Sequence, residues 1–402
     1  MQSGNRFVSG IVWMITLVFV VVVQTSPARA VTEKVLHSFA GADGFLPYAS
    51  VVLDAAGNLY GTTASGGLGF GTVFELKAAG DVWKEEVLYS FAGGSDGGNP
   101  YGGLVFDTAG NLYGTTRNGG TFGSGTVFEL SASGGVWTKT TAYSFGANHL
   151  DGCLPQGDLT IDSLGNLYGT TSGCGEASSG TVFEVSPSGG GWIETTLWSF
   201  HGTDGQSPVA GVVFDTAGNL YGMTPTGGTF SQGNVFKLTP MSGTWTGTSI
   251  FSFTGGDNGC TPYGEPVLDK AGSLYGTTQR CGADEVGTVF VLKPTQGQWT
   301  MSVIHSFTGG IDGGSSRAGL RFDSAGNLYG TTQLGGLFGN GAVFRLTLEK
   351  SGRWREAEYS FMGGSDGSSP YSAPTVGTSS LFGTTVSGGT DRLGTVYEIT
   401  EK

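Results

Sequence analysis

The chain has 402 residues, of which 75 are glycine, 12% are aromatic and only 13% are charged. Disordered chains show the opposite balance, with few aromatic and many charged residues, so this composition indicates a folded protein with frequent turns. The net charge of −13 repels phosphate backbones, which argues against a nucleic-acid partner.

The first thirty residues have the pattern of a secretory signal peptide. Arg6 precedes an apolar run over residues 7–23, and the small-x-small sequence Ala28-Arg29-Ala30 follows it. This order predicts cleavage after Ala30 and export to the cell exterior or the periplasm. An uncleaved membrane anchor is the alternative, because an apolar run of this length is at the lower limit of a bilayer-spanning helix. No second apolar span follows, so no membrane segment is expected after cleavage.

From residue 31 onward the chain repeats a pattern of about 53 residues. Each unit contains four short runs of β-forming residues separated by turns rich in Gly, Asn and Asp, which predicts four antiparallel strands. Seven such units predict an all-β, seven-bladed propeller that forms a single domain over residues 31–402. The sequence GNLYGTT or a variant of it occurs once per unit, and its second glycine marks each copy: Gly61, Gly114, Gly169, Gly222, Gly276, Gly330 and Gly383.

The two ends of the repeat array are complementary. The last unit ends with its third predicted strand, at residues 394–400, and lacks a fourth. Residues 31–39 end in the Ser-Phe pair that closes the fourth strand of the other units. We therefore expect the N-terminal strand to complete the last blade, which closes the ring and removes an exposed sheet edge.

The recurring sequences GNLYGTT, GTVFEL and YSF resemble the bacterial GloVer (Gloeo/Verruco) tandem repeat over residues 32–402. This resemblance implies an exported β-propeller built from repeats. It implies no catalytic residue, because the family carries no established chemistry. Members often carry a C-terminal surface anchor, whereas this sequence ends in TVYEITEK, so free secretion is the expectation.

Four cysteines occupy equivalent positions in two units. Cys153 and Cys174 are 21 residues apart, as are Cys260 and Cys281. Each pair places one cysteine before the first strand and one between the second and third strands, and these two loops lie on the same face of a propeller. In an oxidising compartment each pair is expected to form a disulfide within one blade. A four-cysteine metal site is the alternative, which the separation of the third and fifth blades disfavours.

An aspartate recurs in the loop that connects the fourth strand of one unit to the first strand of the next. Two interpretations are open: a ring of carboxylates at the channel mouth that holds a hard cation, or turn residues that accept hydrogen bonds from local N–H groups. The second is favoured because every blade needs the same turn. These residues are Asp43, Asp96, Asp151, Asp204, Asp257, Asp312 and Asp366.

Residues that break the repeat are candidates for function, because residues that serve the fold recur. Three predicted inner strands carry an unexpected charge, at Asp158, Glu265 and Arg321. The loops of the cysteine-bearing face depart from the pattern at Arg117, His149, Arg280 and Arg317. We predict that these seven residues contact a ligand; solvated channel charges are the alternative. His37 and His305 replace an aromatic residue in the outer strand and are expected to pack.

Three functions are compatible with the sequence. The first is a secreted, monomeric binding or scaffold module for a glycan or another cell-surface polymer, without a cofactor or a metal. The second is an extracellular carbohydrate-active enzyme, a lyase or a hydrolase, with its site at the channel mouth near Asp158, Glu265, Arg321 and His149. That hypothesis requires these groups to converge on one pocket. The third is a purely structural envelope protein.

Overall fold

The computed structural model describes residues 31–80 and 82–401, which form seven antiparallel sheets around one axis. The chain is therefore a seven-bladed all-β propeller, as the repeat predicts. The proposed signal peptide lies outside the described residues. Within them, helix is confined to three short 3-10 turns, Gly94–Asp96, Gly256–Asn258 and Gly364–Asp366, and no helix has the length and apolarity needed to cross a membrane.

The strands of the first four blades are numbered in chain order after β1 (Val31–Ser38), which belongs to blade 7. Blade 1 contains β2 (Val52–Leu53), β3 (Leu59–Thr63), β4 (Thr72–Ala79) and β5 (Val82–Ser90). Blade 2 contains β6 (Val105–Phe106), β7 (Leu112–Thr116), β8 (Thr126–Ser133) and β9 (Val136–Ser144). Blade 3 contains β10 (Cys153–Pro155), β11 (Thr160–Ile161), β12 (Leu167–Gly173), β13 (Thr181–Ser188) and β14 (Gly191–Ser199). Blade 4 contains β15 (Val213–Phe214), β16 (Leu220–Thr224), β17 (Asn234–Met241) and β18 (Thr244–Ser252).

The remaining three blades follow the same order from the axis outward. Blade 5 contains β19 (Val267–Leu268), β20 (Leu274–Thr278), β21 (Thr288–Thr295) and β22 (Gln298–Ser306). Blade 6 contains β23 (Arg321–Phe322), β24 (Leu328–Thr332), β25 (Ala342–Leu348) and β26 (Trp354–Ser360). Blade 7 contains β27 (Ser368–Pro370), β28 (Thr375–Val376), β29 (Ser380–Ser387) and β30 (Thr395–Glu401), with β1 on its outer edge.

The N-terminal strand closes the ring, as the incomplete last unit predicts. Strand β1 pairs with β30 in antiparallel register, from Val31 opposite Glu401 to Ser38 opposite Thr395. The side chain of Phe39, which follows β1, is fully buried and contacts Phe74 of blade 1. The first and last segments of the repeat array thus share one sheet, and the exposed edge of an open array is removed.

The glycine of the LYG sequence makes room for an aromatic ring on the neighbouring strand. Gly169 lies directly opposite Phe183, and a Cβ atom at Gly169 would be only 2.6 Å from Cζ of that ring. The same close approach occurs in all seven blades, with Tyr397 replacing phenylalanine in blade 7. The glycine of the most conspicuous repeat motif is therefore explained by packing.

These rings also join neighbouring blades. The phenylalanine of each Ser-Phe pair packs edge-to-face against the ring that covers the next glycine, with ring centroids 4.9–5.2 Å apart at all seven junctions. Such a geometry adds about 0.5–1.5 kcal/mol per pair to the burial of the rings. The pairs are Phe39–Phe74, Phe91–Phe128, Phe145–Phe183, Phe200–Phe236, Phe253–Phe290, Phe307–Phe344 and Phe361–Tyr397.

A second set of contacts joins the blades near the axis. The first threonine of the GTT sequence donates its hydroxyl to a backbone carbonyl of the next inner segment in six blades, at 2.6–3.3 Å. Thr384 of blade 7 donates in this way to Ala49 of blade 1 at 2.9 Å. Blade 4 has Met223 at this position, which cannot donate.

The first strand of each blade is shorter than the sequence predicts. Residues 48–54 read as one strand, but only Val52–Leu53 pairs with β3. The residues before it follow the axis, where Thr62 bonds to Gly102 of the next blade. Inner segments are thus held between blades rather than within one sheet.

Both predicted disulfides are present. Cys153 and Cys174 are bonded within blade 3, with Cα atoms 5.3 Å apart, and Cys260 and Cys281 are bonded within blade 5, with Cα atoms 5.4 Å apart. Each bond ties the loop before the first strand to the loop between the second and third strands. A cross-link of this span stabilises the fold by about 3 kcal/mol in the chain-entropy model.

The loop aspartates serve their turns. Asp96 accepts the backbone N–H of Ala92 at 2.8 Å and the hydroxyl of Tyr89 at 2.7 Å, and Asp204 accepts the N–H of His201 at 2.7 Å. Among the described residues, none of the seven aspartates lines the channel cavity. Six of the seven side chains contact their own outer strand or the turn that follows it, which favours the turn interpretation over a carboxylate ring at the mouth.

We predict that Gly169→Ala destabilises the protein by about 1–3 kcal/mol, because the added methyl group overlaps the Phe183 ring in a packed core. Urea unfolding measures the change. Gly191→Ala is the matched control, since its Cβ would meet only the Ser188 carbonyl oxygen at 3.8 Å and a surface change of this kind shifts stability by less than about 0.5 kcal/mol. Equal stability of the two variants would contradict the packing role.

Ring closure is also expected to depend on pH. Burial, reinforced by the Asp366 carboxylate, raises the pKa of Glu33 on β1 to about 8, against 4.5 for the exposed group. Between these two pKa values the folded state therefore retains a proton that the unfolded state loses. The contribution of this proton to the free energy of unfolding is complete below the pKa of Glu33 in the unfolded chain and disappears as the pH rises through its pKa in the folded state.

We accordingly expect Glu33→Gln to raise the thermal unfolding midpoint at about pH 9 and to leave it unchanged at about pH 4. Glu86→Gln is the control of opposite sign, because a hydrogen bond from Lys77 lowers the pKa of Glu86. If the unfolding midpoints of Glu33→Gln and the wild type differed by the same amount at every pH in this range, Glu33 would not titrate as described.

Candidate functional site at the channel mouth

The axial channel opens on the face that carries the disulfides. Its cavity of about 130 Å³ is lined by residues from all seven blades. Each blade contributes the residues that follow its loop proline and precede the next strand; blade 6 has a serine in place of the proline. The outermost layer consists of the seven equivalent residues Tyr48, Tyr101, Gln156, Val209, Tyr263, Arg317 and Tyr371.

The layer below the mouth consists of small residues because neighbouring backbones touch there. A Cβ atom at Gly264 would lie 2.2 Å from the backbone nitrogen of Gly319, and one at Gly157 would lie 2.4 Å from the carbonyl carbon of Ala210. Larger residues would separate the blades. Side chains that vary are therefore restricted to the layers above and below this constriction.

Tyrosines form a continuous surface around part of the mouth. Tyr48 stacks on Tyr101 with ring centroids 4.9 Å apart and planes 13° apart, and it meets Tyr371 edge-on at 4.9 Å. Burial raises the pKa of both Tyr48 and Tyr371, so these hydroxyls stay protonated at neutral pH. The surface therefore offers apolar ring faces and neutral hydroxyl groups.

Arg317 extends this surface and is held in place. Its guanidinium lies over the rings of Tyr263, at 4.8 Å, and Tyr371, at 5.2 Å, and its Nη1 donates to the Tyr371 hydroxyl. The Gln279 amide, oriented with its oxygen toward the guanidinium, accepts from Nε at 2.8 Å and Nη2 at 3.0 Å. Arg117 lies over Tyr101 at 5.8 Å and lengthens the surface on the other side.

The three predicted charges of the inner segments converge below the constriction. Arg321 Nη2 lies 3.0 Å from Glu265 Oε2, and Asp158 Oδ1 accepts the N–H of Gly103 at 2.6 Å. Burial raises the pKa of Glu265, and Asp158 adds to this shift while Arg321 opposes it. The acidic groups thus have partners within the protein, Glu265 in an arginine and Asp158 in a backbone N–H.

Two predicted site residues lie elsewhere. His149 is exposed in its loop, where its carbonyl accepts the N–H of Gly175 at 2.8 Å. Arg280 is also exposed, and its carbonyl accepts the N–H of Cys260 at 2.9 Å. Neither residue lines the channel cavity in the part of the chain that the structure describes.

The tyrosines escaped the sequence analysis because they recur. The position after the loop proline is tyrosine in four units, and a rule that assigns recurring residues to the fold overlooks it. The sequence Pro-Tyr itself was the signal that could have identified them. The equivalent residues Gln156 and Val209 show that the fold does not need a large aromatic side chain at this position near the axis.

Exposed phenylalanines lie on the same face, farther from the axis. Phe122, Phe230 and Phe338 occupy equivalent loop positions in blades 2, 4 and 6 and are 51–54% exposed. The corresponding residues of blades 3 and 5 are Ala177 and Asp284.

Solved structures superpose on the chain at low sequence identity. An ancestral GH74 enzyme superposes with a TM-score of 0.57 at 12% identity over 89% of this chain and 48% of that chain, so the chain spans about half the length of that enzyme. A protein of Bacteroides uniformis named as a 6-phosphogluconolactonase has a TM-score of 0.49, at 13% identity over 77% of this chain and 84% of the other. A protein of Thermus thermophilus named as an oxidoreductase (glucose dehydrogenase) has a TM-score of 0.44, at 18% identity over 75% and 96%. These likenesses concern the fold alone.

No curated protein matches the chain. The model of the Gloeobacter/Verrucomicrobia repeat, however, matches residues 18–213 and 212–402. The two matched stretches include all seven blades, and they contain every copy of the GNLYGTT sequence. The chain therefore belongs to the Gloeobacter/Verrucomicrobia repeat family.

Proposed function

We propose that the protein is an exported binding module that recognises a neutral glycan or a similar cell-surface polymer at the channel mouth. The observation that carries this proposal is the surface formed by Tyr101, Tyr48, Tyr371, Arg317 and Tyr263. Tyrosine combines an apolar ring face with a polar hydroxyl, which suits a sugar ring with its C–H faces and hydroxyl rim. The rings are packed against one another, so little side-chain entropy is lost on binding.

Charge supports a neutral ligand. The chain carries an excess of acidic residues, which disfavours polyanions at long range. At the mouth, Arg317 is already paired with two rings and an amide. Its guanidinium keeps N–H groups that can donate to ligand oxygens. One paired arginine is not the cluster of free cations that a phosphate or sulfate polymer would need.

The pairing of the channel charges favours binding over catalysis. A general acid or base must reach a substrate atom with its own proton or lone pair. Glu265 is paired with Arg321, and Asp158 is bonded to a backbone N–H. Both groups line the same cavity as the tyrosines, so their internal partners, and not their distance from the mouth, argue against catalysis.

A glycoside hydrolase is the second candidate. It is favoured by one observation, the Glu265 carboxyl, whose pKa burial raises, in the same cavity as the Asp158 carboxylate, since glycoside hydrolysis uses two carboxyl groups that flank one substrate. Release of reducing sugar by the wild type that Glu265→Gln abolishes would establish this function and replace the binding proposal.

Export is supported by the two disulfides, which persist in oxidising compartments, and by the signal-like sequence of the first thirty residues. We propose that the protein acts outside the cytoplasm, in the periplasm or beyond the cell, and that it works as a monomer.

We expect a glycan array to identify a saturable ligand and Tyr48→Ala to weaken its binding at least about tenfold, equivalent to about 1.4 kcal/mol. Tyr48→Phe is the matched control, because it keeps the stack on Tyr101 and removes only the hydroxyl. Isothermal titration with the array ligand measures both variants. Absence of any saturable ligand would favour the structural envelope role, and unchanged affinity of Tyr48→Ala would exclude the mouth as the site.

A further inference from the structure

The rim of the propeller contains a position where neighbouring blades exchange polar contacts. There, a side chain near the end of one outer strand meets the loop aspartate and a residue from the outer strand of the next blade. Tyr89, Asp96 and Lys139 show the arrangement: the tyrosine hydroxyl and the lysine ammonium both contact the Asp96 carboxylate, at 2.7 Å and 3.1 Å. The identity of the three residues changes from junction to junction.

Histidine occupies the first position at two junctions, and both times the third residue is glutamate. These sets are His305, Asp312 and Glu356 between blades 5 and 6, and His37, Asp43 and Glu85 between blades 7 and 1. In each set, one nitrogen and two carboxylate oxygens lie within 4.8 Å of one another. Imidazole and carboxylate are the ligand types that Zn²⁺ takes together in proteins.

The distances in the first set match a tetrahedral metal centre. His305 Nε2 lies 3.3 Å from Asp312 Oδ2 and 3.4 Å from Glu356 Oε2. Ligands bound to Zn²⁺ at about 2.0–2.2 Å are about 3.3–3.5 Å apart in a tetrahedron. The two distances from the imidazole nitrogen therefore match coordination, and the two carboxylate oxygens lie within 4.8 Å of each other.

A hydrogen bond does not account for this spacing. His305 Nε2 is buried and makes no hydrogen bond to the described residues, and 3.3–3.4 Å is longer than the usual N–H···O distance of about 2.7–3.2 Å. In the second set, by contrast, His37 Nε2 bonds to Asp43 Oδ2 at an ordinary 2.8 Å. The nitrogen of His305 thus faces two carboxylates, neither of which approaches it to an ordinary hydrogen-bond distance.

The surroundings hold the ligands in place. The N–H of Thr308 donates to Asp312 Oδ2 at 2.8 Å and its hydroxyl donates to Oδ1 at 2.5 Å, which fixes the carboxylate as second-shell partners do. The His305 ring packs edge-on against Phe307 at 4.9 Å.

We propose that His305, Asp312 and Glu356 bind a divalent transition-metal ion, with Zn²⁺ as the best match, and that the ion joins blade 5 to blade 6. His305 lies on β22, Glu356 on β26 and Asp312 in the loop between the blades. A water molecule completes the tetrahedron. The ion thus joins the outer strands of two neighbouring blades, and it is independent of the ligand at the channel mouth.

The test uses the full-length mature chain without a tag, stripped of metal and titrated with Co²⁺, whose visible absorption reports tetrahedral coordination. Both cysteine pairs are disulfides, so thiolates do not contribute to the signal. We expect the wild type to bind Co²⁺ with the tetrahedral spectrum, Zn²⁺ to displace it, and Zn²⁺ to raise the thermal unfolding midpoint.

His305→Tyr is the decisive variant, because tyrosine occupies this position at other junctions and the fold accepts it. We expect it to lower the Co²⁺ stoichiometry by one ion per chain with an unchanged unfolding midpoint in the metal-free state, and Glu356→Gln to weaken binding at least tenfold. His37→Tyr is the matched control and should retain the tetrahedral signal of the His305 site. Failure of the wild type to bind Co²⁺ or Zn²⁺, or unchanged stoichiometry and spectrum in His305→Tyr, would overturn the proposal.

Discussion

The edge-to-face aromatic pair at each blade junction is the contact on which the rest of this propeller depends. One ring comes from the end of an outer strand and the other from the third strand of the next blade, where it lies across a glycine. The position under the ring has to be glycine, the ring that covers it has to be large, and the second ring has to come from the neighbouring blade. These three requirements repeat around the circle, because the seventh junction, Phe39 against Phe74, is built like the others. The second glycine of GNLYGTT recurs for this reason.

Because the junctions fix the distance between blades, the axis is left with little space. The inner segments approach until their backbones touch, and only small residues fit at the constriction. Variation is possible only above and below it. The tyrosine and arginine surface lies above, and the paired charges of Glu265 and Arg321 lie below. The rim of the propeller is constrained in the same way, because the junctions hold equivalent positions of neighbouring blades in contact. The side chains at these positions vary, and they pack, form hydrogen bonds or, as we propose, coordinate a metal ion.

Sequence periodicity was sufficient to predict the number of blades, the closing strand and both disulfides. These features follow from local rules: strand-forming runs, turn residues and equal cysteine spacing in two units. The length of the first strand was overestimated, because its apolar pattern continues into a segment whose partners lie in the next blade. Periodicity cannot reveal partners outside the unit.

The candidate site was predicted only in part, for a related reason. Breaks in the repeat identified the charges that meet in the channel and Arg317 at its mouth. They also selected His149 and Arg280, which lie in exposed loops whose course no pattern specifies. The tyrosines were missed because recurrence was taken to mean structure, and the possible role of His305 was missed because its carboxylate partners are seven and 51 residues away in the sequence.

Hydrogen exchange of β1 measured by mass spectrometry tests most directly whether seven equivalent junctions close the ring. Strands that belong to one cooperative unit exchange with similar protection, whereas a loosely attached terminal strand exchanges rapidly. If the ring is closed as described, the amides of β1 are protected as strongly as those of β5, β9 and the other outer strands. Rapid exchange confined to β1, with full protection elsewhere, would contradict it.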